Sequence, residues 1–152
     1  MAYKSNTKKR EKTDFIAIHC SATSSKQNIG AKDIDKWHRA KGWACIGYHY
    51  VIRRDGTVEE GREESVIGAH VENWNAVSIG ICMVGGVNAD DVNKAENNFT
   101  EAQFKSLKQL LIDLKHRYPK AKIQGHRDFP KVAKACPSFD VAQWLKVAQL
   151  DN

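Results

Sequence analysis

An α/β fold in one domain, with a central mixed β-sheet flanked by helices on its faces, is what this sequence predicts, and three observations carry that expectation. Short apolar runs of strand character alternate with segments of helical spacing, in the order strand, helix, hairpin, strand, long helix, strand, helix. Asp55-Gly56, between two runs of β-formers, is the strongest short turn signal in the chain. A length of 152 residues, 41% hydrophobic and 28% charged, suits a single soluble domain that buries its core without disulfides.

Residues 1–12 come first as a basic arm. Lys4, Lys8, Lys9, Arg10 and Lys12 stand there with almost nothing apolar, which predicts a flexible tail ahead of a domain over residues 13–152. Phe15, Ile16, Ala17 and Ile18 then form an apolar run that ends in small polar residues, as a buried strand does. His19 closes that strand, and alternation puts Cys20 on the opposite face, so at most one of the two serves a given site. Ile34, Trp37 and His38 give Ala31 to Lys41 an amphipathic helical spacing, stopped by Gly42, with Trp37 as a core residue.

Gly47 to Arg62 reads as the hairpin. Its alternation places Tyr48, Tyr50 and Ile52 on one face and His49, Val51 and Arg53 on the other, so only one of Tyr48 and His49 points into a site. Ile67 to Gly86 begins as a loop carrying His70 and Trp74 and becomes a strand from about Val77 to Val84. His70 on that loop is free to serve a substrate or a metal. The Asn-, Asp- and Gly-rich stretch Gly85 to Asn98 is a long loop.

Phe99 to Tyr118 is a helix by several signals at once. Thr100 and Gln103 form a capping box, Phe99 and Phe104 a hydrophobic staple, and Phe104, Leu107, Leu111, Leu114 and Tyr118 follow one buried face until Pro119 ends it. His116 sits among the basic residues of the last turn, which favour the helix dipole and explain it structurally. A short strand near Lys122 to Gln124 delivers His126 at its end, and a final helix runs from about Asp140 to Leu150.

The stretch Gly125 to Phe139 concentrates the chemistry. His126 and Cys136 are donors that Zn²⁺ prefers, and Lys134 puts a cation between them. Cys20, Cys45, Cys82 and Cys136 lie far apart with no CxxC pair, which argues against a closed four-ligand structural site and for an open site with three protein ligands. His19, at the end of a strand able to lie beside the one before His126, supplies the third ligand.

Four separated motifs occur together in one order: His19 in IAIHCSAT, the run WHRAKGWACIGYHYVIRRDGTVEEGR, His70 and Asn75 in GAHVENWNAVSIG, and GHRDFPKVAKACPSF. From Asp14 to about Leu150 the chain thereby resembles the zinc N-acetylmuramoyl-L-alanine amidases, a family that includes the peptidoglycan recognition proteins, and within it the small phage lysozymes of the T-seven type. The resemblance implies a zinc amidase domain over residues 13–152, with one Zn²⁺ per chain held by His19, His126 and Cys136. It implies Tyr48 and Lys134 as the catalytic pair, and so Tyr48 over His49, with His70 and Asn75 at the substrate groove. Two departures stand out: the disulfide of vertebrate recognition proteins is not reproduced, and Ser138 follows Pro137 where many relatives have glycine.

What the resemblance implies for function is an endolysin that hydrolyses the amide between N-acetylmuramic acid and L-alanine of bacterial peptidoglycan, degrading the wall and lysing the host. A module that binds muropeptide without cutting is the alternative; relatives of that kind have usually lost the cysteine ligand that Cys136 retains here. The T-seven type lysozymes also bind their phage's RNA polymerase, which makes the N-terminal region a candidate contact for such a partner. The net charge of +6 favours polyanionic partners, but no recognised nucleic-acid-binding fold is present, so direct nucleic-acid binding is not expected. No apolar run approaches the ~20 residues of a membrane span, and residues 1–14 lack the apolar core of a secretory signal. The expected location is therefore the bacterial host cytoplasm until release to the wall.

Overall fold

Strand β1 (Phe15–Cys20) lies at the centre of the architecture, paired in parallel with β4 (Ser78–Met83) on one side and β5 (Lys122–Gly125) on the other. The computed structural model describes residues 2–152. Beyond β4, β2 (Tyr50–Ile52) adds in parallel and its hairpin partner β3 (Val58–Glu60) closes the edge antiparallel, giving the mixed order β3-β2-β4-β1-β5. The hairpin turn uses Gly56 at φ 91°, a left-handed conformation that glycine adopts without steric cost.

Alternation along the strands splits the sheet into two chemically different faces. Ile16, Ile18, Ile52, Ile79, Ile81, Met83 and Ile123 point to one side, where helices α2 (Glu101–Arg117) and α3 (Val141–Val147) cover them with Leu107, Leu111, Leu114, Val141 and Leu145. Ala17, Val51 and Cys82 point to the other side. Helix α1 (Ala31–Ala40) packs there around Ile34, and the loops carrying Val71 and Phe129 cover Ala17.

Capping accounts for where the helices begin. Thr100 Oγ1 accepts from Gln103 N at 3.1 Å, while Gln103 Oε1 accepts from Thr100 N at 2.9 Å. The same buried amide donates through Nε2 to the carbonyls of Ile52 and Val84 at 3.1 and 3.0 Å, tying α2 to the ends of β2 and β4. Glu59 of β3 caps α1, its Oε1 accepting from Ala31 N at 2.9 Å, and Gly42 at φ 93° follows the helix end.

Two placements differ from the sequence expectation. Trp37 is 42% exposed rather than in the core. The buried arc of α1 runs through Ala31, Ile34, Asp35 and His38, and Trp37 falls roughly a third of a turn from its centre. The arm is hydrogen-bonded along the segment after β3: Tyr3 N donates to the Gly61 carbonyl at 2.7 Å, Arg10 N to Ser65 at 2.7 Å, and Ile67 N to Lys8 at 2.9 Å. Arg10 anchors it further, donating to the Glu64 carbonyl at 2.6 Å with its guanidinium 5.5 Å from the Tyr118 ring centre. The arm pairs with the Gly61 and Ser65 carbonyls and the Ile67 N–H, and such backbone pairing needs no apolar pattern in the arm. Among the described residues, no helix is long and apolar enough to cross a membrane.

Candidate active site

The β1–β5 register creates the site. Ile18 pairs with Gly125, so one step further each chain delivers a histidine, and the rings of His19 and His126 stand 4.5 Å apart between centres. Both lie at the carboxyl ends of parallel strands, where α/β sheets gather ligands. The loop after His126 folds back over the end of β1, held by Arg127 N donating to the Cys136 carbonyl at 2.9 Å. It brings Cys136 Sγ to 3.1 Å from the backbone N–H of Cys20. One donor atom from each of His19, His126 and Cys136 thus lies within 4.8 Å of the others, a group that could hold a metal ion.

The donor chemistry of this trio suits a divalent metal. Burial, reinforced by His70, His126 and Lys134, holds His19 well below the usual histidine range, and burial with Lys134 lowers His126. Both imidazoles are therefore neutral, with lone pairs to give. The neighbouring Cys20 thiol and burial push the Cys136 thiol up, so its anion calls for a cation beside it, while the Cys20 N–H already points at the sulfur. Two imidazoles and one thiol are a donor set that zinc takes with a position left open.

Tyr48 and His49 precede β2 and depart from the expected alternation: Tyr48 packs on the side of Val51 and Cys82, not with Tyr50 and Ile52. His49 is spent on the backbone: Nδ1 accepts from Gly80 N at 3.0 Å and Nε2 donates to the Val66 carbonyl at 2.8 Å. Tyr48 instead lays its ring 5.1 Å from that of His19. Burial first, then the thiols of Cys82, Cys136 and Cys20, raises its hydroxyl well above the ordinary tyrosine range, so it stays protonated and can donate. Lys134 lies on the wall of a groove of about 500 Å³ that opens beside His126, and Trp43, Glu72 and Lys131 also line it.

His70 and Asn75 line the same groove, with His70 Nδ1 and Asn75 Oδ1 engaged within the chain. His70 Nδ1 is 2.9 Å from His19 Nε2, and Asn75 Oδ1 accepts from both His70 N and Val71 N at 2.8 Å. His70 Nδ1 and Asn75 Oδ1 thereby build the wall behind His19. Cys20 follows His19 on the strand and meets Cys136 through both its backbone N–H and its thiol.

Three participants carried no sequence signal of their own. Ser78, the first residue of an apolar strand, stands 3.3 Å from His70 Nε2. Gly80 gives the His70 ring its space, since a Cβ there would come within 2.6 Å of His70 Cγ. His38 accepts from Gly47 N at 2.9 Å and packs its ring, tilted by 56°, 4.5 Å from that of Trp43 at the groove rim.

The chain is similar to known proteins along most of its length. The family described as N-acetylmuramoyl-L-alanine amidase matches residues 9–139. The endolysin of Escherichia phage T7 is 47% identical over 143 residues, spanning 94% of this chain and 92% of that protein. Peptidoglycan-recognition protein SC2 of Drosophila melanogaster is 33% identical over 142 residues, covering 91% of this chain and 69% of the relative. Among solved structures, the N-acetylmuramoyl-L-alanine amidase LysC from Clostridium intestinale superposes with a TM-score of 0.75 at 26% identity, covering 99% of both chains. The chain belongs to the N-acetylmuramoyl-L-alanine amidase family.

Proposed function

We propose that this protein is a peptidoglycan-hydrolysing endolysin that cleaves the amide between N-acetylmuramic acid and L-alanine, using one zinc ion held by His19, His126 and Cys136. The observation that carries this reading is the convergence of those three donors at the ends of two adjacent parallel strands. Zinc bound there would supply Lewis acidity and a water acidified to a pKa of about 7.

The protein's own groups handle binding and charge. The groove beside His126 receives the stem peptide, and Lys131 and Lys134 on its wall suit the carboxylates such peptides carry. Attack on the amide turns its carbonyl oxygen into an oxyanion. Donors fixed in advance stabilise that charge, each worth about 3 kcal/mol, and the Tyr48 hydroxyl and Lys134 ammonium are the candidates. Either also serves to pass a proton to the departing L-alanine nitrogen. His70 and Asn75 contribute to substrate binding as the wall that shapes the groove.

Digesting purified peptidoglycan tests the reaction. The amidase reading expects new L-alanine amino termini without new reducing sugar ends; reducing ends without amines contradict it, and no release of either favours a module that only binds. A second reading, contact with a phage RNA polymerase through the N-terminal region, is favoured by the exposure of Lys4, Lys8, Lys9 and Lys12 along the docked arm. Pull-down with the intact chain and a Lys4, Lys8, Lys9→Ala variant tests it.

A further inference from the structure

Both ring nitrogens of His70 have partners, and the direction of those hydrogen bonds can be read from their far end. Ser78 Oγ lies 2.8 Å from the Trp74 carbonyl oxygen, which can only accept, so the serine proton points there. The serine oxygen is left to accept from His70 Nε2 at 3.3 Å, which puts a hydrogen on Nε2. No carboxylate is paired with the His70 ring among the described residues, and a neutral ring whose hydrogen sits on Nε2 carries a bare lone pair at Nδ1. That lone pair stands 2.9 Å from His19 Nε2. His19 must therefore donate from Nε2, and its own free lone pair is at Nδ1.

We infer that His70, oriented by Ser78, is a positioning residue that fixes His19 as the Nε2–H tautomer and so presents Nδ1 as the metal donor. The surroundings are built for this. Asn75 Oδ1 pins the backbone of His70 and Val71. Gly80, in the middle of a fully buried strand, leaves room for the ring where any side chain would strike it. The His70 and His19 rings meet edge to face, 4.9 Å apart and at 86°. A ligand histidine whose second nitrogen is held in this way keeps both tautomer and orientation, and loss of such a partner typically weakens metal binding about 10- to 100-fold.

The tautomer stands on hydrogen bonds within the chain, whereas the consequence for affinity rests on the zinc reading above, and two measurements keep them apart. Nitrogen-15 NMR of the histidine rings in the full chain as purified should show the hydrogen of His19 on Nε2 and none on Nδ1; a hydrogen on Nδ1 overturns the inference, whatever the metal content. Zinc affinity by chelator competition should fall about 10- to 100-fold in His70→Phe, which keeps an aromatic ring but offers no acceptor. His70→Gln, which restores an acceptor, should recover most of it. Thermal unfolding of both variants reports whether they fold. Wild-type zinc affinity in folded His70→Phe, or equal losses in folded Phe and Gln variants, would contradict the positioning role. Failure of the zinc reading itself would appear as full zinc occupancy in Cys136→Ser, a result that leaves the NMR outcome untouched.

Discussion

The two faces of one sheet are held by different means. Under α2 and α3 the strands present Ile16, Ile18, Ile79, Ile81, Met83 and Ile123 to leucines and valines, a hydrocarbon layer whose requirement is volume and shape. On the opposite face His19, His49, Ser78, Asp35, His38 and Arg62 are buried among a thinner set of apolar residues. Among the described residues no buried side-chain nitrogen or oxygen lacks a hydrogen-bond partner. The difference teaches where stability and chemistry reside. An apolar contact can be traded for another of similar size, while each buried polar group has a named partner that its loss would orphan.

A large cavity on the apolar face gives the largest expected effect. Leu111 is fully buried in that layer, and Leu111→Ala should cost about 2–5 kcal/mol in denaturant unfolding. Zinc stoichiometry of the fraction that remains folded should stay unchanged, because no site residue touches that layer. Loss of zinc from the folded variant would show that the two faces are not separable in this way.

Tyr48→Phe and Lys134→Ala should do the reverse. Each removes one polar group from the site without removing a proposed ligand, so turnover should fall on the order of 10²-fold while KM and zinc content change little. Near-normal turnover with zinc bound would leave the metal and its water as the whole catalytic apparatus.

Acid should weaken the polar face selectively. Burial pushes His49 from its ordinary 6.5 down to about 4. Between those values the unfolded chain binds the extra proton, so stability is lost as pH falls from 6.5 toward 4. At pH 5 this one histidine accounts for about 2 kcal/mol relative to pH 7. Denaturant unfolding at the two pH values checks it; an unchanged free energy would contradict the buried neutral assignment.

Ser138→Gly should have the smallest effect. Ser138 sits at φ 71°, where glycine is at ease, but its Oγ donates to the Gly86 carbonyl at 2.8 Å. Relief of about 1 kcal/mol of backbone cost and loss of a hydrogen bond of similar worth should nearly cancel. A change in melting temperature equivalent to more than about 1 kcal/mol either way would show that one of the two dominates.

Legibility in the sequence followed the range of the interactions. The α2 helix could be read because its capping box, staple and apolar spacing are all local, and the β2–β3 hairpin because Asp55-Gly56 marks its turn. The placement of His19 and His126 at strand ends was visible too. Their adjacency depends on the β1–β5 pairing, which the strand order allowed, and the family resemblance added Tyr48 and Lys134 to the set. The docked arm, the exposure of Trp37 and the inward aim of His70 were not legible. The arm is held mainly by backbone hydrogen bonds, Trp37 misses its core by a modest helical angle, and the His70 ring turns inward because Gly80 lies bare beneath it.

Metal analysis of the cysteine series tests the central claim most directly, because Cys20 and Cys136 lie together and only one is assigned as a ligand. Wild type and Cys20→Ser, Cys45→Ser and Cys82→Ser should each carry one zinc per chain, while Cys136→Ser, with a poor donor in place of the thiolate, should lose it together with wall hydrolysis. Full zinc occupancy and wild-type activity in Cys136→Ser would contradict the account.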